Sequence, residues 1–315
     1  MADIRQGIKK HDEKKNKAVR SIYRKKSRYI GLVYISPWLI GFFIFQLYPL
    51  ISSFVYSFMN FNMFDKREFT GVQNYIYMFT KDELFRKSLK VTFIYVFLSV
   101  PLKLVSALLV AMLLNMKLKF VNFFRTVYYI PSIMGGSVAI SILWKAMFMK
   151  EGYINSLLSI FSIPATNWLG NPSLAIYTLS SLVVWQFGSS MVIFLAGLKQ
   201  IPPELYEACK VDGASRLKMF FNITLPLLSP IIFFNLIMQL INAFQEFTGA
   251  LVITNGGPVN ATYLYVLKVY EDGFRFFKMG YASALSWVLF FIILIFTSLI
   301  FKSSTGWVYY TDGGK

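Results

Sequence analysis

Four polar residues, Asn235, Gln239, Asn242 and Glu246, stand at spacings of four, three and four in a stretch otherwise rich in Phe, Leu and Ile. At about 100° per helical residue, all four fall within an arc of roughly 60°. Such a stripe has two uses: it lines a path for a hydroxyl-rich solute, or it hydrogen-bonds to a neighbouring helix. Lys103 lies mid-way along another apolar run, where a charge is costly, so it faces a cavity or pairs internally. A cavity-facing Lys103 suits an anionic group on the solute. Glu246 falls nearer the outer face, which argues against a direct pair between the two. Trp185 and Gln186 set an aromatic plane beside an amide, flanked by Ser180, Ser181, Ser189 and Ser190, a pairing suited to stacking on a sugar ring, although tryptophan also fills cores. Lys145 sits near the end of its run, where snorkelling accounts for it. One histidine, His11, and one cysteine, Cys209, exclude His-paired nucleophiles in a membrane, a disulfide within the chain and multi-His or Cys-cluster metal sites. No catalytic residue, bound cofactor or metal is expected.

These side chains need a scaffold, and the composition points to a bilayer. The 315 residues are 56% hydrophobic and only 15% charged, with a mean hydropathy of +0.53. A soluble domain averages about 45–50% and about 25%. An ordinary soluble enzyme and a disordered chain are both excluded. Six segments approach the length of about 20 apolar residues that a membrane helix needs: 28–59, 89–114, 123–148, 174–198, 227–251 and 281–301. Pro37, Pro49, Pro101 and Pro131 within them read as kinks inside a bundle. The first 28 residues are polar and carry no signal-peptide core.

Net charge is +17, unevenly spread. The tail 1–28 holds eleven Lys and Arg against three acids. The loop before 123 carries Lys117 and Lys119, with Arg125 just beyond, and the loop 199–226 carries Lys199, Lys210, Arg216 and Lys218. The alternate loops are balanced or, at 152–173, uncharged. The positive-inside rule then puts both termini in the cytoplasm, which an even number of spans requires. The tail reads as a topology determinant against lipid headgroups, and no nucleic-acid partner is expected, because no aromatic interleaving accompanies the charge.

The loop 199–226 is too long for a turn. Pro202 and Pro203 suit a helix start, Glu204 and Glu207 complement its dipole, and Gly213 stops it. A second amphipathic stretch with Leu217, Phe220, Phe221 and Ile223 leads to Pro226, which opens the fifth span. Leu205, Tyr206, Ala208 and Val211 form an apolar face that either inserts in a partner's groove or lies among headgroups; physical chemistry alone leaves both open.

Glu207-Ala208-Cys209, Gly213 six residues after the Glu, and Ile223, Leu225 and Pro226 closely resemble the EAA motif of ABC-importer permeases, with Cys209 in place of the second alanine. Asp212-Gly213-Ala214 resembles the carbohydrate-importer branch. So do Gly71-Val-Gln-Asn-Tyr75, Asn255-Gly256-Gly257-Pro258 with Ala261-Thr262, Gly280-Tyr281-Ala282-Ser283-Ala284 and Trp307-Val308-Tyr309-Tyr310. The resemblance covers roughly residues 30–310, to the maltose- and glycerol-phosphate-type permeases and to the first of their two paired subunits.

The resemblance implies an all-α polytopic bundle of six transmembrane helices with the type I ABC importer fold. Its parts are a basic cytoplasmic tail 1–28, a permease domain 29–303 containing the coupling loop 199–226, and a cytoplasmic tail 304–315. It implies that Glu207, Ala208, Asp212 and Gly213 couple the chain to a separate ATPase dimer, which binds ATP and Mg. The sequence itself has no G-x-x-x-x-G-K-[ST] phosphate loop. The other implied partners are a second related permease, an extracellular or periplasmic solute-binding protein, a carbohydrate substrate and the bilayer of a bacterial cytoplasmic membrane. Trp185, Gln186, Asn235, Gln239, Asn242, Glu246 and Lys103 are the candidate substrate path. The alternatives are the same architecture for another polar solute such as a glycerol phosphodiester, a stand-alone channel or secondary carrier, which would not need the Glu207 loop, and a membrane enzyme, which lacks a catalytic cluster in the spans.

Overall fold

The computed structural model describes residue 30 and residues 33–62, 67–116 and 119–309. The expectations for the tail 1–28 and for 310–315 lie outside these residues. The chain divides at Tyr56 into two compact units. The first contributes one helix, α1 (Val33–Tyr56), long and apolar enough to cross a membrane. Pro49 has no N–H to give the Phe45 carbonyl, and the wide turn just ahead of it, Phe43–Leu47, shifts the bonding so that the Tyr48 N–H reaches Phe43.

The second unit opens with a two-stranded antiparallel ribbon, β1 (Met59–Asn60) with β2 (Glu68–Phe69), a departure from a purely helical chain. The short helix α2 (Gln73–Thr80) follows, tied back by the Asn74 side-chain amide, which donates to the Ser57 and Met59 carbonyls. Helix α3 (Glu83–Asn115) is capped by Asp82, whose carboxylate accepts the Phe85 N–H at 2.8 Å. Its 33 residues reach about 50 Å at 1.5 Å per residue, running unbroken through Pro101.

The third and fourth apolar runs are not single rods. Helix α4 (Val121–Ile133) meets the stretch Val138–Ile160, made of α5 (Val138–Phe148) and α6 (Tyr153–Ile160), at a bend of 100°, and α7 (Pro172–Trp185) meets α8 (Gly188–Leu198) at 47°. The runs expected at 123–148 and 174–198 are each broken in this way, and the kink read from Pro131 falls a few residues later, at the first break. Gly135-Gly136 occupies the first break, with Gly136 at φ +71°, and backbone freed at such breaks is tolerated where protein or a wet cavity meets it.

Helix α9 (Pro203–Val211) ends at Gly213, whose φ of +71° is a conformation glycine adopts without strain. The next helix, α10, begins earlier than Pro226, running from Arg216 to Phe244 through a wide turn at Phe220–Thr224. Pro230 leaves the Pro226 carbonyl without its helical donor, and the Ser229 hydroxyl donates to it at 2.6 Å instead. Because α10 stops at Phe244, Glu246 lies in the turn beyond the helix, not on its stripe. Helix α11 (Tyr265–Tyr270), a wide turn at Glu271–Arg275, and α12 (Met279–Ser304) complete the fold.

Two apolar cores hold these elements. One gathers Tyr95, Leu179, Phe244, Tyr265 and Leu285; the other gathers Ala107, Ala111, Met191, Phe194 and Leu228. Ala107 and Ala111, both fully buried, let α3 pack closely along α8, as small residues do between membrane helices. On the outer sides of α3 and α12, Phe97, Val105, Leu109, Phe291 and Ile295 stay exposed, the pattern of helices solvated by lipid. Four helices, α1, α3, α10 and α12, have spanning length by themselves, and each bent pair adds one more if it counts as a span.

Candidate functional site

A polar cavity of about 360 Å³ lies where the two bent pairs meet α3 and α10. Helix α3 supplies Tyr95, Ser99 and Lys103; the α4–α5 break supplies Ser132, Gly135 and Gly136; the α7–α8 break supplies Gln186 and Ser189; and the end of α10 supplies Gln239, Asn242 and, beyond it, Glu246. The breaks are pressed together. A Cβ at Gly188 would stand 2.4 Å from the Tyr128 carbonyl, and one at Gly135 would stand 3.3 Å from Gln186 Oε1. The irregular backbone therefore lines the one polar recess that both breaks share, as apolar surroundings demand.

Of the residues singled out from the sequence, Lys103, Gln186, Gln239, Asn242 and Glu246 converge on this cavity. Lys103 and Glu246 interact electrostatically across it without forming an ion pair within 4.0 Å among the described residues. Glu246 accepts the Gly249 N–H at 2.8 Å. Asn235 and Trp185 stand apart. Asn235 is buried lower on α10, its amide donating to the Ile231 carbonyl at 3.3 Å. The Trp185 ring packs against Trp144 with centroids 5.5 Å apart. Lys145 reaches the Val252 carbonyl at 3.4 Å.

At the far end of α3, around Asn115, lies the helix α9. Tyr206 turns inward, its hydroxyl 2.9 Å from that of Thr224. Glu207, Ala208, Asp212 and Gly213 are exposed, and so are Leu205, Val211 and Leu217, Val211 at 89%. One edge of α9 is thus anchored, while Leu205 is partly exposed and Val211 almost fully so on its other side.

A third cluster, at the Asp82 end, escaped the sequence reading. Lys268 sits between Asp82 at 2.8 Å and Asp272 at 2.9 Å, and the Tyr281 hydroxyl donates to Asp82 at 2.6 Å. Burial pushes the Asp82 carboxyl upward, but the Lys268, Tyr281 and Phe85 donors outweigh it and hold the group below the ordinary value of 3.8. At Asp272 burial prevails over Lys268, and the carboxyl is raised. The i,i+4 spacing of Lys268 and Asp272 was a usable signal; the link to Asp82 across the chain had none.

Apolar helices broken at a shared polar recess, with an exposed amphipathic helix at one end, define a membrane transport subunit. Residues 84–310 match the binding-protein-dependent transport system inner membrane component family, and the chain belongs to that family. It is 47% identical over 300 residues to the probable ABC transporter permease protein YesP of Bacillus subtilis (strain 168), covering 94% of this chain and 96% of that protein. It is 32% identical over 287 residues to the arabinooligosaccharides transport system permease protein AraP of the same organism, covering 90% of each. The trehalose/maltose transport system permease protein MalF of Thermococcus litoralis is 33% identical over 276 residues, with 87% of this chain and 92% of that protein covered. In fold, the chain matches one in the crystal structure of a bacterial ABC transporter involved in the import of the acidic polysaccharide alginate, with a TM-score of 0.78 and 22% identity over 89% of this chain and 96% of that one. The protein is accordingly an ABC importer permease, a transport subunit and not an enzyme.

Proposed function

We propose that this chain is one of a pair of permease subunits that carry an oligosaccharide across the bacterial cytoplasmic membrane by alternating access. Each bent pair counts as one span, making six, and both termini are cytoplasmic, as the Lys and Arg of the 199–226 loop and the basic tail require. The observation that carries the reading is the polar cavity built at the two helix breaks. Its amides, hydroxyls and single carboxylate suit a solute rich in hydroxyl groups, and the relatives AraP and MalF are named for sugars.

The driving force lies elsewhere. Glu207, Ala208, Asp212 and Gly213 present α9 to a cleft of a separate ATPase dimer, which binds ATP and Mg. Glu207 makes a polar contact, Ala208 allows close approach, and Gly213 permits the turn that aims the helix. A solute-binding protein delivers the sugar to the outer face. ATP and the loaded binding protein bias a two-state equilibrium between outward- and inward-open forms, each by its differential affinity for the two.

Co-purification of the full importer followed by ATPase assays, over a panel of oligosaccharides and a glycerol phosphodiester, tests this. Stimulation by oligosaccharides with the binding protein present is the expected result. Stimulation by the phosphodiester alone overturns the substrate reading. Uptake by the purified chain alone in vesicles overturns the coupling reading.

A further inference from the structure

We infer that the cavity takes an anionic sugar, with Lys103 Nζ receiving a carboxylate of an oligosaccharide that contains uronic acid. The inference rests on the carbohydrate reading above and narrows it. Lys103 is only 9% exposed, on the buried side of α3, the longest of the described helices. Among the described residues its ammonium has no carboxylate within 4.0 Å and no hydrogen-bond acceptor. Its charge faces the cavity, with the Glu246 carboxylate on the same wall acting at a distance and not as a bonded partner.

The same molecule shows how it treats a buried lysine that serves structure. Lys268, 4% exposed, has carboxylates at 2.8 and 2.9 Å. Lys103 has none, yet it opens into a recess of about 360 Å³, within the usual range of about 300–1,000 Å³ for small-molecule sites. Glu246, on the same wall, is engaged with the Gly249 N–H and stays beyond ion-pair reach of Lys103. The cation is therefore left for whatever fills the cavity. A lysine is a point charge with three donors, which suits one carboxylate. Gln186, Gln239 and Asn242 face the same space and suit the hydroxyls around it. Glu246 accepts from a sugar diol and repels a second negative charge, so the ligand presents its acid at the Lys103 end.

The test is uptake by the complete importer in proteoliposomes. The probes are a panel of uronate oligosaccharides, tetragalacturonate among them, and their carboxyl-reduced neutral counterparts of equal length. The binding protein is the same throughout, so a change in selectivity between variants belongs to the permease. Wild type takes up a uronate oligosaccharide. Lys103→Gln lowers the uronate-to-neutral uptake ratio by at least about tenfold, since truncating one partner of a buried charge pair is severe, and Lys103→Arg retains most of it. Glu246→Gln, which removes the repelling charge, raises the ratio. This second variant keeps the inference exposed if Lys103→Gln fails to assemble, as judged by size exclusion. A ratio unmoved by Lys103→Gln, a ratio not raised by Glu246→Gln, or wild-type uptake of neutral oligosaccharides alone overturns the anionic assignment and leaves the carbohydrate reading standing. Uptake of no oligosaccharide of either kind sinks both.

Discussion

The Tyr281 hydroxyl donates to the Asp82 carboxylate at 2.6 Å, joining residues 199 positions apart. Through it the first turn of α12 is fastened to the N-cap of α3, and Lys268 adds α11 to the same carboxylate at 2.8 Å. Two neighbouring elements late in the chain and one early in it thus share one buried anion. Within a bundle whose helices slide readily in lipid, directional bonds of this kind hold relative position where apolar packing alone does not.

Removing one donor from this cluster leaves a buried charge short of a partner. Tyr281→Phe is expected to cost about 1.5–3 kcal/mol, the range for a hydrogen bond to a charged group. Lys268→Met, which strands two carboxylates, is expected to cost more, about 3–5 kcal/mol. Thermal unfolding in detergent measures both, and a Lys268→Met chain as stable as the parent would contradict the cluster's role.

Acid should weaken the same cluster. The Asp82 carboxyl lies below the ordinary 3.8 in the folded chain, so its contribution is fully present at neutral pH and is lost as pH falls through that lowered value. Asp272 has the opposite sign: its carboxyl is raised, so ionising it opposes folding as pH rises. Asp82→Asn should therefore be destabilising at pH 7, with a penalty that shrinks in acid, while Asp272→Asn should be the milder substitution at pH 7. Melting curves of both variants across pH read the difference directly.

The join between the two helix breaks has no room to spare. An alanine at Gly188 would bring its Cβ to 2.4 Å from the Tyr128 carbonyl and 2.8 Å from the Tyr129 Cα, both backbone atoms that cannot turn aside. Gly188→Ala is expected to lose about 1–3 kcal/mol by overpacking and to lower solute uptake with it. Gly41→Ala, with open space around it, serves as the control in the same melting assay.

Gly213 adopts φ +71° with nothing within 4 Å of its missing Cβ, so a substitution there strains the turn without a clash. Gly213→Val should leave the chain inserted but reduce sugar-stimulated ATPase activity of the assembled importer by about tenfold or more, equivalent to about 1.4 kcal/mol of coupling. Full coupling in that variant would remove α9 from the proposed transmission path.

The double substitution Gln239→Leu with Asn242→Leu removes both polar side chains that α10 itself presents to the cavity. Uptake should fall by more than about tenfold, because a solute hydroxyl buried without a partner is penalised by about 1–3 kcal/mol each. Wild-type uptake would mean these amides bond to helices and not to solute.

Some of this protein was legible in one dimension. The length and apolarity of the runs at 89–114 and 227–251 announced bilayer residence, because a membrane reads a helix by the run of side chains it exposes. The helix at 203–211 was announced by Pro203, the early acids and Gly213, whose caps act over a turn or less. The prolines were a half-signal: Pro101 leaves α3 unbroken, whereas a few residues beyond Pro131, at Gly135-Gly136, the chain bends through 100°. Gln239 and Asn242 reach the cavity as their spacing suggested, but the helix ends at Phe244, which carries Glu246 off the stripe and into the loop that holds it at Gly249.

What the amino-acid order determined by itself was therefore local and additive: a chain built for lipid, the places where its helices start and stop, and the family its loop spacing belongs to. Tertiary structure decided which polar groups meet. It set Trp185 against Trp144 and away from the cavity, left Lys103 facing an open recess, and paired Lys268 with Asp82. The physical reason is that such meetings depend on bend angles and on packing between segments that are dozens to well over a hundred residues apart, where a rotation of one helix by a fraction of a turn exchanges lipid for cavity around the same side chain.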